Sequence, residues 1–150
     1  MATTAVDPVL VDTNVLIYHQ IARSPFYAAA RNQLRDLSAA GHALWVNRQI
    51  LREYLAATSR PGTVTPPLSM TALIADVRTF QARFFIAEDG PAVTVHLLSL
   101  LTSIPCGGKQ IHDANIVATM LAHGIPRLLT HNVADFSRFA GIITVVPLVP

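Results

Sequence analysis

Short apolar runs alternate along the chain with longer stretches in which apolar residues recur every three or four positions. The first run, "VLV" at Val9 to Val11, has the length and β-branched content of a buried strand. A short helix is predicted from about Asn14. Ser24-Pro25 then opens another, because serine caps well and proline fits the first helical position. Phe26, Ala30, Leu34 and Leu37 fall at helical spacing up to Gly41. Ala43 to Val46 reads as a second strand, and Asn47 as the cap of a helix with Ile50, Leu51, Tyr54 and Leu55 inside. The breaker-rich "SRPGTVTPP" at 59–67 is a loop. A helix over about Ser69 to Ala82, a strand over Phe84 to Ala87 and an apolar helix ending near Ser103 follow. After the turn "PCGG" come a helix from Ile111 to His123, stopped by Gly124, and a strand from Arg127 to Thr130. A short helix over Ala134 to Phe139 and a strand over Ile142 to Val146 close the pattern. Strands separated by helices predict an α/β fold, with a mostly parallel sheet covered by helices on both faces.

Composition sharpens this picture. The 150 residues, 51% hydrophobic and only 13% charged, form a single domain over 1–150 and exclude disorder. So little charge on an apolar chain points to partners, with a homodimer expected. The lone Cys106 excludes an internal disulfide and a cysteine-only zinc site. "MATTAVDP" lacks the pattern of a signal peptide, and the apolar stretch from Val93 to Ile104, broken by His96, is too short to cross a bilayer. A cytoplasmic location without membrane attachment is the expectation. The net charge of +2 conceals an asymmetry, since ten of the eleven bases are arginine. With four of the nine acids in one pocket, the remaining residues would carry +6, an acidic pocket on a basic body.

Four acids follow apolar runs that must be buried: Asp12 after the first strand, Glu53 within the helix after the second, Asp113 opening "HDANIVATM" and Asp135 in "THNVADF". In open parallel sheets ligands bind beyond the carboxyl ends of the strands, which is where such acids fall. Each alone has a structural alternative. Asp12 can be a helix cap, Asp113 can favour a helix start, Glu53 can pair with Arg52 or an i+4 neighbour, and Asp135 can cap the "FSRF" turn. Asp7, Asp36, Asp76, Glu88 and Asp89 read as surface or turn acids. "CGGKQ" is no phosphate loop, because Ser103 stands where the first glycine belongs and Gln110 follows the lysine. Neither "HExxH" nor "GxSxG" occurs. His112 reads as a supporting residue rather than a base, and Trp45, Phe80, Phe84 and Phe85 as core rather than base-stacking platforms.

"VDTNVLIY", "NRQILREYL", "IHDANIVATM" and "LLTHNVADFSRF" resemble, in order and over essentially the whole chain, the four acidic motifs of the PIN-domain family. Within it they resemble the bacterial VapC-type toxins of type II toxin–antitoxin systems, and the closing "GIITVVP" strand fits as well. The resemblance implies a PIN-like three-layer sandwich and an endoribonuclease dependent on Mg²⁺ or Mn²⁺, held inactive by a cognate antitoxin protein. Matched residue by residue, its acids are Asp12, Glu53, Asp113 and Asp135, as catalytic residues and metal ligands. Many relatives carry an acid two positions after Thr130, where this chain has Asn132; Asp135 then supplies the acid, directly or through water. Thr13, Asn14, Thr130, Asn132 and His112 are the expected polar support, and Arg48 and Arg52 a basic rim for the RNA substrate.

The chemistry suits such a set. Phosphodiester hydrolysis needs an activated water and neutralisation of charge at phosphorus, both within reach of a hard cation held by a few carboxylates. A housekeeping RNA-processing nuclease of the same fold and a catalytically inactive protein-binding module are the competing readings. A response-regulator receiver is a further rival, but it needs an acidic pair after the first strand and a lysine after the last. This chain has Asp12 alone and no lysine beyond Lys109.

Overall fold

The computed structural model describes residues 5–150. The elements run β1 (Val9–Val11), α1 (Thr13–Gln20), α2 (Tyr27–Ala39), β2 (Leu44–Asn47), α3 (Arg48–Ser59), α4 (Met70–Arg83), β3 (Phe85–Ala87), α5 (Pro91–Ser103), α6 (Gln110–His123), β4 (Arg127–Thr130), a 3-10 helix (Val133–Phe139) and β5 (Thr144–Pro147). The five strands form one sheet in the order β3-β2-β1-β4-β5. Every pairing is parallel, β1 lying between Leu44–Trp45 of β2 and Arg127–Leu129 of β4. The mixed character that "mostly parallel" allowed is therefore absent among the described residues.

The order fixes the layers. The chain crosses from β1 to β2 to β3 in one direction, then back across to β4 and β5, and parallel crossovers are right-handed as a rule. Helices α1 to α4 accordingly pack together on one face, and α5, α6 and the 3-10 helix on the other. β1 lies between these layers with all three residues buried, and so do Leu128 and Leu129 of β4. α6 is buried at Ala114 and from Ile116 to Met120, more than one stripe of its surface, as a central helix must be. Its end is set by Gly124, whose φ of 65° is left-handed and lets the following amide reach back to Met120.

Three expectations shift at their edges. Ser24-Pro25 makes a turn, Ser24 accepting from the Phe26 amide at 3.1 Å, and the helix proper begins at Tyr27. The short element after β4 is a 3-10 rather than an α-helix. The last strand starts at Thr144, because the amides of Ile142 and Ile143 both bond to the Phe139 carbonyl.

Candidate active site

The direction of the crossovers reverses between β1 and β4, so the layers part at the carboxyl ends of those two strands. Asp12 and Thr130 occupy this point. The Asp12 amide continues the sheet by donating to the Leu129 carbonyl at 3.0 Å. Its side chain, 7% exposed, caps α1 by accepting from the Thr13 amide at 2.8 Å. The other carboxylate oxygen accepts from the Thr130 hydroxyl at 2.7 Å and the Asn14 amide group at 3.1 Å. Burial still wins: the Asp12 carboxyl lies above its ordinary range, lifted by desolvation and by Glu53, against the opposing bonds from Thr130, Thr13 and Asn14. A residue needed only as a cap does not require this burial.

Thr13 donates its hydroxyl to Glu53 at 2.9 Å, linking α1 to α3. Gln49, one turn before Glu53, donates to it at 2.9 Å and to the His112 carbonyl at 3.2 Å. Asn115 in turn donates to the Gln49 carbonyl oxygen at 3.2 Å. This amide bridge ties the helix bearing Glu53 to the helix bearing Asp113, across the two layers. On the β4 side, Asn14 accepts from the His131 amide at 2.9 Å, and Thr130 accepts from the Asn132 amide at 3.0 Å.

These contacts surround a cleft of about 330 Å³ lined by Asp12, Glu53, Asp113, Asn132, Asp135 and Arg60, among others. Asp113 and Asp135 have no hydrogen-bond donor of their own among the described residues. The Asp113 carboxyl is pushed up to about 6, first by desolvation and then by the charges of Asp135, Asp12 and Glu53, with Arg138 opposing. Asp135 and Asn132 both line the cleft, and Asp135 acts on Asp113 more strongly than Asp12 or Glu53 does.

Several residues sit differently from the sequence reading. Arg48 is committed to Glu88, its guanidinium making two hydrogen bonds of 3.2 and 2.5 Å. Arg52 is exposed, and neither arginine lines the cleft. His112 contributes its carbonyl to Gln49, while its exposed side chain stays outside the lining. Asp76 is half-buried rather than superficial and accepts from the Tyr54 hydroxyl at 2.6 Å. Phe85, on the edge strand, is 57% exposed rather than core, and packs at a tilt of 32° against Trp45 with ring centroids 5.1 Å apart. Gln49 and Arg60 went unnoticed in the sequence. Gln49 lies one turn before Glu53 on α3, a spacing that was the available signal, whereas Arg60 follows the last residue of α3 in an extended conformation that the sequence pattern did not mark.

The cleft offers carboxylate, amide and hydroxyl oxygens, the donor set of a hard cation such as Mg²⁺. Among the described residues no three acid, histidine or cysteine side chains stand close enough to enclose an ion alone. A cation would therefore be held by one or two carboxylates and several waters, the usual manner of Mg²⁺. The residues fit it: Asp113 and Asp135 are without donors among the described residues, and a positive charge would relieve the load that the other three acids place on Asp113.

Ribonuclease VapC24 of Mycobacterium tuberculosis is 29% identical to this chain over 133 residues, covering 86% of the chain and 89% of that protein. Among solved structures, VapBC2 from Rickettsia felis bound to a DNA fragment from its promoter matches with a TM-score of 0.70 at 17% identity, over 93% of this chain and 97% of that chain. A toxin–antitoxin complex from Klebsiella pneumoniae matches with a TM-score of 0.64 at 21% identity, again over 93% and 97%. At such identities the structural likeness concerns the fold. The family model of the PIN domain matches residues 9–142, and over that length of sequence the chain belongs to the PIN domain family.

Proposed function

We propose that this protein is a metal-dependent endoribonuclease, the toxin of a toxin–antitoxin pair, using Mg²⁺ or Mn²⁺. The observation that carries the proposal is the meeting of Asp12, Glu53, Asp113 and Asp135, from four distant segments, at the switch point of a parallel sheet. A structural reading of each acid leaves that meeting, and the rise of Asp113 under the charge of the other three, without a cause. The resemblance to proteins named ribonuclease VapC supports RNA as the substrate, and the fold shared with a toxin–antitoxin complex supports a protein inhibitor.

Asp113 and Asp135, whose carboxylates lack donors, are the residues that would take the cation, with Asp12 behind them at the floor of the cleft. When bound, the cation lowers the pKa of water and neutralises charge on the phosphate oxygens. Asp12 keeps its orientation through its three donors, and Thr130 holds the far side of that carboxylate. Glu53, fixed by Thr13 and Gln49, has its acceptor oxygens aimed rather than free to rotate, as a residue that orients an attacking water must be. Arg60 provides a fork for a phosphate beside the one cleaved.

No helix of the described residues is long and apolar enough to cross a membrane. Val95 and Leu98 on α5, 66% and 63% exposed, support the reading that a second copy or the inhibitor covers apolar surface. Cleavage of a defined RNA by purified protein tests the proposal. Activity should require Mg²⁺ or Mn²⁺, stop with EDTA and vanish in Asp113→Asn; cleavage that persists in EDTA would sink it.

A further inference from the structure

A larger concavity, about 870 Å³, lies at the other end of the sheet, between the end of α1, α2, the start of β2 and the end of α4. We propose that it is a second ligand site, taking the phosphate of a nucleotide against its arginines and the base against its apolar floor. Arg31, Arg35 and Arg83 line it, together with His19, and none of its lining residues is acidic. It thus gathers three of the ten arginines of a chain whose net charge is only +2.

Those charges are largely unanswered. Arg83 has no acid within salt-bridge distance among the described residues. Arg31 donates through Nε to the His19 carbonyl at 3.2 Å and lies 4.7 Å from the centre of the Tyr27 ring. Its terminal nitrogens remain without partners among the described residues. Arg35 meets only Asp36, at 3.3 Å, with both side chains about two-thirds exposed, a pair that contributes little. The Nδ1 of His19 is buried without a partner. Burial and then Arg31 hold the His19 pKa below its ordinary value, with Arg83 adding to them and Gln20 opposing, and His19, Arg31 and Arg83 all line the same space.

Concavity, size and charge together select the ligand. The volume lies within the range of about 300–1,000 Å³ common for small-molecule sites. A lone carboxylate occupies one guanidinium fork, whereas a phosphate has enough oxygens and charge for several. Leu44 and Phe84, half-buried on the floor, offer an apolar surface for a flat base. The acidic cleft lies at the carboxyl ends of the strands and this pocket at the start of β2, so one phosphate cannot reach both.

The test is an NMR titration of the full chain in EDTA with adenosine 5′-monophosphate, inorganic phosphate, acetate and a short ribo-oligonucleotide. The nucleotide should move the signals of His19, Arg31 and Arg83, inorganic phosphate the same signals more weakly, and acetate none. Tighter binding of the oligonucleotide at these residues assigns the phosphate to an RNA backbone; weaker binding assigns it to a free nucleotide. Arg31→Gln combined with Arg83→Gln should weaken the nucleotide by at least about tenfold and leave the rate of RNA cleavage unchanged. Arg83→Lys, which keeps the charge and loses the fork, should fold like the wild type and bind with intermediate affinity. Shifts confined to the carboxylate cleft, or a glutamate-rich peptide binding here where the nucleotide does not, would overturn the proposal.

Discussion

Asparagine in place of Asp113 keeps the size of the side chain and removes its charge. In the folded protein that carboxyl stands at about 6 against 3.8 for the free group, raised by burial and by Asp135, Asp12 and Glu53. The difference corresponds to about 3 kcal/mol, which solvent screening of a half-buried group reduces to about 1–2 kcal/mol. A raised acid pKa means that the folded state binds the proton more tightly than the unfolded one, so stability falls as pH rises between the two values. Against this, Asp113 favours the first turn of α6, and its loss costs about 0.3–1 kcal/mol. No hydrogen bond of its carboxylate is lost among the described residues.

The metal-free variant should therefore be more stable than the wild type by about 1 kcal/mol above pH 7, or about 2–4 °C in melting temperature for a chain of this size. The advantage should shrink through pH 6 and disappear below about pH 4, where both carboxyls are protonated. Mg²⁺ held in the cleft as proposed would bind only the folded state, so it should raise the melting temperature of the wild type more than that of the variant. RNA cleavage should be lost. Thermal melting over pH 4 to 8, with EDTA and with Mg²⁺, reads all of this; an Asp113→Asn protein less stable than wild type at high pH, with an unchanged Mg²⁺ response, refutes the reasoning.

Three further substitutions follow from the same geometry. Thr130→Val removes a donor that lowers the Asp12 pKa, so that pKa should rise further and about 1–2 kcal/mol of stability be lost; equal denaturation midpoints for the two proteins at pH 7 would contradict this. Gln49→Ala unties Glu53 from the Asp113 helix and should slow cleavage at saturating RNA by about tenfold or more, with unfolding free energy changed by no more than about 1 kcal/mol. A rate equal to wild type would mean that the bridge positions nothing. Arg60→Ala should raise KM for RNA with kcat nearly intact, and should reduce the slope of log affinity against log salt by about one; an unchanged slope would remove Arg60 from the phosphate path.

The fold was legible because its signals are local. β1 and β4 are apolar runs between breakers, Asn47 accepts from the Ile50 amide as its cap, and Gly124 ends α6 in the left-handed conformation. The boundaries that slipped, at Ser24-Pro25 and Ile142, are places where one residue can serve a turn or a regular element and tertiary hydrogen bonds decide. The acids were legible by position, each just past a run that must be buried. What escaped was partnership across distance. Arg48 lies five positions from Glu53, yet it is claimed by Glu88, forty positions away. Asp76 looked superficial until the Tyr54 hydroxyl, on another helix, was found upon it.

Charge segregation explains why those distant partners matter. Outside the cleft, Asp7, Asp36 and Glu88 each meet an arginine, while Asp76 takes the Tyr54 hydroxyl. Inside it, Asp12 and Glu53 are met only by neutral donors: a backbone amide, hydroxyls and side-chain amides. Neutral donors fix a carboxylate's direction without supplying a counter-charge, so these acids are aimed but not paired. A core packed for stability alone gains from pairing or neutralising buried acids. This cleft leaves them uncancelled, at the cost visible in Asp113, and the deficit is what a divalent cation would fill.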